Sequence, residues 1–211
     1  MDSFWHIFRE SPFMWINAVV SVGAVGLILW RFLRLKFFYD VDAKRFLQNI
    51  EKHVLANDLT QAINHCNTSN APLAKVVKSG LIRANQGHMA ISMGLDESLL
   101  EVSPKVEKGV GALWSLANIA TLVGLIGTIF GLIRSFSGLS VATPEQRAKL
   151  LGAGIAEALY NTALGLTIAV ICIIAHLVLS GLAKGILADV DYGSSKVENL
   201  LHLRKDSPAK G

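Results

Sequence analysis

Glu157 is the residue of this chain that most directly invites a chemical reading. It interrupts an apolar stretch from Leu150 to Ala183 that otherwise lacks Asp, Glu, Lys and Arg. A carboxylate inside a membrane span costs at least ~2.5 kcal/mol and is a functional candidate by default. The plainer reading places it near the outer interface, within reach of water. The preceding apolar stretch, Gly109 to Ile133, carries Asn118, Thr121, Leu125, Thr128, Leu132 and Ser135 at three- and four-residue spacing. That spacing puts them on one helix face. A neighbouring face holds Gly124, Gly127, Gly131 and Gly138. On the later stretch Ala158, Thr162, Gly165, Ala169, Cys172 and His176 form a stripe of mostly small residues, flanked by Glu157 and Asn161. Small residues let helices approach closely, and Thr often bonds back to its own helix, so packing alone is the competing account of Thr128 and Thr162. His176 reads more simply as a satisfied polar tip than as a proton relay.

Depth arithmetic links these positions. Suppose the two helices run antiparallel with Thr128 and Thr162 level. At about 1.5 Å per residue, Arg134 then lies roughly 9 Å further out than Thr128, and Glu157 roughly 7.5 Å further out than Thr162. Each charge is the other's expected counter-ion. Facing threonines beneath an acid–base pair would make a wall for a water-containing cation path, lined by Thr128, Thr162, Glu157, Thr121 and Asn118. Gly124, Gly127, Gly131 and Gly165 would pack the helices.

The elements that must position these residues are membrane spans. Three stretches are long enough without acid or base to cross a bilayer, which takes about 20 residues: Pro12 to Trp30, Gly109 to Ile133, and Ala158 to Ala183. The first has its charges after the apolar run (Arg31, Arg34, Lys36), so it is expected to be an uncleaved anchor. Eleven of the Lys and Arg residues fall between the first and second spans, whereas only Arg9 precedes the first. That asymmetry puts the N-terminus outside and the insert and C-terminus in the cytoplasm. The insert reads as helical, with Phe46, Ile50, Val54 and Leu55 at helical spacing and Leu59, Ile63 and Cys66 continuing a hairpin. A further helix opens at Pro72 with Leu73, Val76, Val77, Leu81 and Ile82, and Pro104 is expected to start or kink the helix leading into the second span.

Composition agrees. Across 211 residues, 52% are apolar and 17% charged, with 18 Gly, and the mean hydropathy is +0.44. A soluble domain carries about 25% charge. The net charge of +4 is too diffuse for a nucleic-acid surface, and Cys66 and Cys172 have no metal-ligand spacing around them. No nucleophile, base or phosphate loop stands at motif spacing. The expectation is therefore no enzyme, no catalytic residue, no cofactor and no metal.

Gly124-Leu125-Ile126-Gly127-Thr128-Ile129-Phe130-Gly131-Leu132-Ile133 and Gly154-Ile155-Ala156-Glu157-Ala158-Leu159-Tyr160-Asn161-Thr162-Ala163-Leu164-Gly165-Leu166 resemble the "GLLGTVxGLI" and "GIAEALxxTAxGL" segments of the MotA/TolQ/ExbB proton-channel family. Three spans rather than four favour the TolQ/ExbB branch. The chain departs from the family pattern at Thr121 and Ile171, where Pro is usual, and at His176, where Tyr is frequent.

The resemblance implies an all-α bacterial inner-membrane protein with long helices extending into the cytoplasm. Its layout would be a periplasmic tail (1–11), first span (12–33), cytoplasmic helical insert (34–108), second span (109–138), short periplasmic loop (139–149), third span (150–183) and cytoplasmic tail (184–211). It further implies a homopentamer around the single-span helices of a dimeric TolR/ExbD-type partner that brings an aspartate. A TonB/TolA-like or motility effector would follow, and proton flow would drive import, envelope maintenance or gliding. By motif match Thr128 and Thr162 line the pore and Glu157 sits near its outer part. The small-residue faces, more than a lone three-helix protein is expected to bury, also favour an oligomer. The alternative is a passive membrane scaffold whose Thr and Glu only pack helices.

Overall fold

The computed structural model describes residues 11–39, 41–139 and 143–206. Among them the protein is all-α. Helix α1 spans Pro12–Leu33 and passes into a π-helical turn, Arg34–Tyr39. Four shorter helices follow: α2 Ala43–Leu55, α3 Leu59–Asn67, α4 Pro72–Ile82 and α5 His88–Glu107. The long helices α6, Val110–Leu139, and α7, Pro144–Asp206, complete the chain. Three helices are long and apolar enough to cross a membrane. Most of the outer tail (1–10), part of the following loop (140–142) and the end of the C-terminal tail (207–211) lie outside the described residues. Helix α7 runs well beyond the expected third span at both ends, because apolar length marks a span whereas helix length need not stop at the bilayer.

The chain divides into two compact units. One comprises the described part of Met1–Trp30 with Gly109–Val178. Its core is Ala24, Ala117, Ala120, Ile168, Ala169 and Cys172, with Val20, Leu116 and Leu164 packed against it. Almost every member is small, so α1, α6 and α7 approach closely, as helices in lipid must when dispersion rather than water exclusion holds them.

The other unit comprises Arg31–Lys108 with Leu179–Gly211, as far as described. Asp42 caps α2, its carboxylate accepting from the Arg45 N–H at 3.2 Å, and Asp58 caps α3 through the Gln61 N–H at 3.0 Å. Pro72 opens α4 at a position where its missing N–H costs nothing. Phe46, Leu47, Ile50, Val54, Cys66, Val76, Val77, Leu81, Ile91 and Leu95 fill the core. Leu55 and Ile82, grouped by spacing with the apolar stripes, are exposed: each is the last residue of its helix and falls off the buried face. Pro104 does not start a helix either. It lies inside the last turn of α5, and the break comes at Lys108 and Gly109, where Gly109 takes a φ of +82° that favours glycine. Burial pushes the Cys66 thiol up to about 12.

Arg31, which reads in the sequence as a loop charge, is fully buried. Its guanidinium donates to the carbonyls of Val106 and Lys105, the latter at 3.4 Å. These are carbonyls that the end of α5 leaves without helical partners, so Arg31 caps that helix from another segment.

Candidate functional site

The site is built where α6 meets α7. The Gly124–Gly127–Gly131 face is buried against α7 within the same chain. A Cβ at Gly124 would lie 2.9 Å from the Asn161 carbonyl oxygen, and one at Gly131 would lie 3.2 Å from Ala158. From the opposite side, a Cβ at Gly165 would lie 2.5 Å from the Ala120 carbonyl oxygen. These glycines therefore permit backbone-to-backbone contact inside one protomer. The Gly124, Gly127 and Gly131 face consequently gives no argument for an oligomer, since the chain covers it itself.

This contact sets the threonines. The Thr128 and Thr162 hydroxyls touch. Thr128 Oγ1 also donates to the carbonyls of Gly124 (3.1 Å) and Ala158 (3.3 Å), and Thr162 Oγ1 lies 3.4 Å from the Gly124 carbonyl. Both side chains are half-buried. Further along, Arg134 Nη1 stands 3.9 Å from Glu157 Oε2. Glu157 is largely enclosed, its side chain 15% exposed, whereas Arg134 is 63% exposed. Four residues at two levels are thus brought together.

Thr121 and Asn118 are turned to their own helix. Thr121 donates to Ala117 O at 3.0 Å and Asn118 to Trp114 O at 3.1 Å, with Asn118 exposed. His176 Nδ1–H donates to Val110 O at 2.9 Å, beside the Trp114 ring.

Sequence reasoning missed two polar residues in this unit, Ser11 and Asn17, and gave a third, Asn161, no role beyond flanking the small-residue stripe. Asn161 is fully buried. Its amide donates to Ser11 Oγ (3.2 Å) and to Glu157 O (3.2 Å), and its carbonyl lies 3.3 Å from the Ser11 hydroxyl. Asn17 is also fully buried, with no hydrogen-bond partner for its amide among the described residues. For Asn161 the missed signal was a polar residue one turn after Glu157. For Ser11 and Asn17 it was their spacing with Met14 and Ala24, Ser11 standing just before α1 and Asn17 on its buried face.

The model of the MotA/TolQ/ExbB proton channel family matches residues 68–191. The chain belongs to this family. The match takes in Thr128, Glu157 and Thr162, while α1 lies outside it. This MotA/TolQ/ExbB member is 24% identical to the biopolymer transport protein ExbB of Pseudomonas putida, a similarity covering 98% of this chain and 65% of that protein. Against ExbB of Salmonella typhimurium the identity is 25%, covering 89% of this chain and 83% of the relative. The chain thus spans just under two thirds of the length of the first of these relatives. Among solved structures it is similar to MotAB of C. jejuni, at 12% identity and a TM-score of 0.46, covering 98% of this chain and 82% of that one. Family membership agrees with the three helices long and apolar enough to cross a membrane.

Proposed function

We propose that this protein is the channel-forming stator subunit of a proton-driven motor in a bacterial inner membrane. Five copies would surround the single-span helices of a dimeric TolR/ExbD-type partner. Protons would pass between that partner's aspartate and the wall formed by Thr128 and Thr162, with Glu157 near the outer part and Arg134 as its counter-ion. The work would go to an envelope process such as import, maintenance or gliding, through a TonB/TolA-like or motility effector. The N-terminus would face the periplasm and the C-terminus the cytoplasm, in keeping with the distribution of Lys and Arg.

The observation that carries this reading is the two-level arrangement at the α6–α7 contact: touching threonine hydroxyls at one depth and the Arg134–Glu157 pair at the next. Hydroxyls can hand hydrogen bonds along a wall without a fixed charge, and an enclosed carboxylate supplies a field for cations. A specific observation favours the scaffold alternative. Both threonine hydroxyls reach backbone carbonyls of their own bundle, as packing residues do.

Vesicles separate the two. The protein, co-purified with a single-span protein carrying one intramembrane Asp, is reconstituted and proton uptake is followed under an imposed gradient. The channel reading expects uptake that needs both components and is lost when that Asp becomes Asn. A scaffold gives the same complex with no uptake above empty vesicles.

A further inference from the structure

The geometry points to Asn161 as a positioning residue, clasped to Ser11 at the start of α1, that sets the rotation of the α7 turn carrying Glu157 and Thr162. This inference rests on the ion-path reading of those two residues.

Asn161 occupies the space that Gly127 leaves on α6. A Cβ at Gly127 would lie 2.8 Å from Asn161 Cγ and 2.9 Å from its Cβ. The same amide holds Ser11 at 3.2 Å and the Glu157 carbonyl at 3.2 Å. Two residues after Ser11, the Phe13 ring packs on Phe130 of α6 with centroids 5.0 Å apart. The start of α1 therefore brackets the helix pair beside its threonines, touching α7 through Ser11 and α6 through Phe13. Asn161 is the polar link of that bracket.

Rotation is the quantity that matters. A side-chain tip stands several Å outside the helix radius, so turning α7 by about 10° moves the Glu157 carboxylate by roughly 1 Å. At 3.9 Å from Arg134, that displacement decides whether the two groups are paired. Nothing in the family resemblance assigns this role. The family segment leaves the position of Asn161 open, and Ser11 lies outside the matched residues.

The test uses the full chain in lipid vesicles and the infrared carboxyl and carboxylate bands of Glu157, assigned by their loss in Glu157→Gln. The expected result is that Asn161→Ala and Gly127→Ala each move the titration midpoint of those bands away from wild type at equal assembly. The first releases the turn and the second pushes it. Ser79→Ala, in the insert, should leave the midpoint in place. If Asn161→Ala does not assemble, Ser11→Ala and Gly127→Ala decide. Midpoints unchanged from wild type in the assembled variants overturn the proposal, since a residue that only stabilises the fold would lower thermal stability without moving the bands. The ion-path reading fails separately, through normal proton uptake by Glu157→Gln.

Discussion

Arg134 and Glu157 lie on consecutive membrane helices with their charged atoms 3.9 Å apart, one side chain open to its surroundings and the other largely enclosed. The asymmetry makes the pair informative. Glu157→Gln leaves an exposed cation that can find other partners, whereas Arg134→Gln leaves an enclosed carboxylate with its nearest cation gone. Arg134→Gln should therefore lower thermal stability more, and the double Gln variant should recover part of that loss. With one partner so exposed, the coupling should be about 1 kcal/mol or less. Thermal unfolding of the four proteins in one detergent measures it, and strict additivity would remove the pair from the account.

The glycine contacts give a sharper stability difference. At Gly165 a Cβ would meet backbone, the Ala120 carbonyl at 2.5 Å, and backbone on both sides leaves no flexible tip to move aside. Gly165→Ala should cost about 1–3 kcal/mol. At Gly26, on α1, a Cβ would meet nothing within 4 Å. Gly26→Ala should be neutral or gain up to about 1 kcal/mol from helix propensity. Differential scanning of both variants checks the contrast.

How much of this was legible beforehand depended on the kind of interaction. The three long apolar helices, the helical insert and, once Thr128 and Thr162 were supposed level, the Arg134–Glu157 pairing could be read because apolar length and helix periodicity are properties of contiguous sequence, and rise per residue converts them to depth. The fate of the glycine faces could not be read in that way. Spacing says that Gly124, Gly127 and Gly131 share a face, but not whether the chain's own α7 or a second copy covers it. Arg31 and Asn161 were hidden for a related reason. Their partners, Val106 and Ser11, are distant in sequence and contribute a backbone carbonyl and a single hydroxyl, which leave no pattern.

Arg31 should prove essential to its own unit. Hydrogen bonds from a charged donor contribute about 1.5–3 kcal/mol, and Arg31→Leu removes those to Val106 and Lys105. Amide exchange should rise selectively in the last turn of α5. Arg31→Lys should restore part of the protection, because both bonds leave one nitrogen, Nη2, and an ammonium can also donate twice. Exchange mass spectrometry resolves both outcomes.

Cys66 should be chemically silent in the folded protein. With its thiol raised from 9.0 to about 12 by burial, thiolate is nearly absent at neutral pH, and labelling should require unfolding. The linkage follows in sign. The unfolded thiol ionises near 9 while the folded one does not, so this stabilising contribution is full below pH 9 and is lost between pH 9 and about 12. Urea unfolding at pH 8 and pH 10.5 should show the drop, and Cys66→Ala should show less of it.

The central claim is that the Thr128 and Thr162 hydroxyls form part of a proton path. The direct measurement is proton uptake by vesicles containing the protein and its single-span partner, comparing wild type with Thr128→Val, Thr162→Val and the double variant. Valine keeps the shape and removes the hydroxyl, and losing a hydroxyl between membrane helices costs about 1 kcal/mol or less, so all variants should assemble as wild type does. The account predicts uptake reduced about tenfold or more in each single variant and abolished in the double. Uptake at the wild-type rate in an assembled double variant would contradict it.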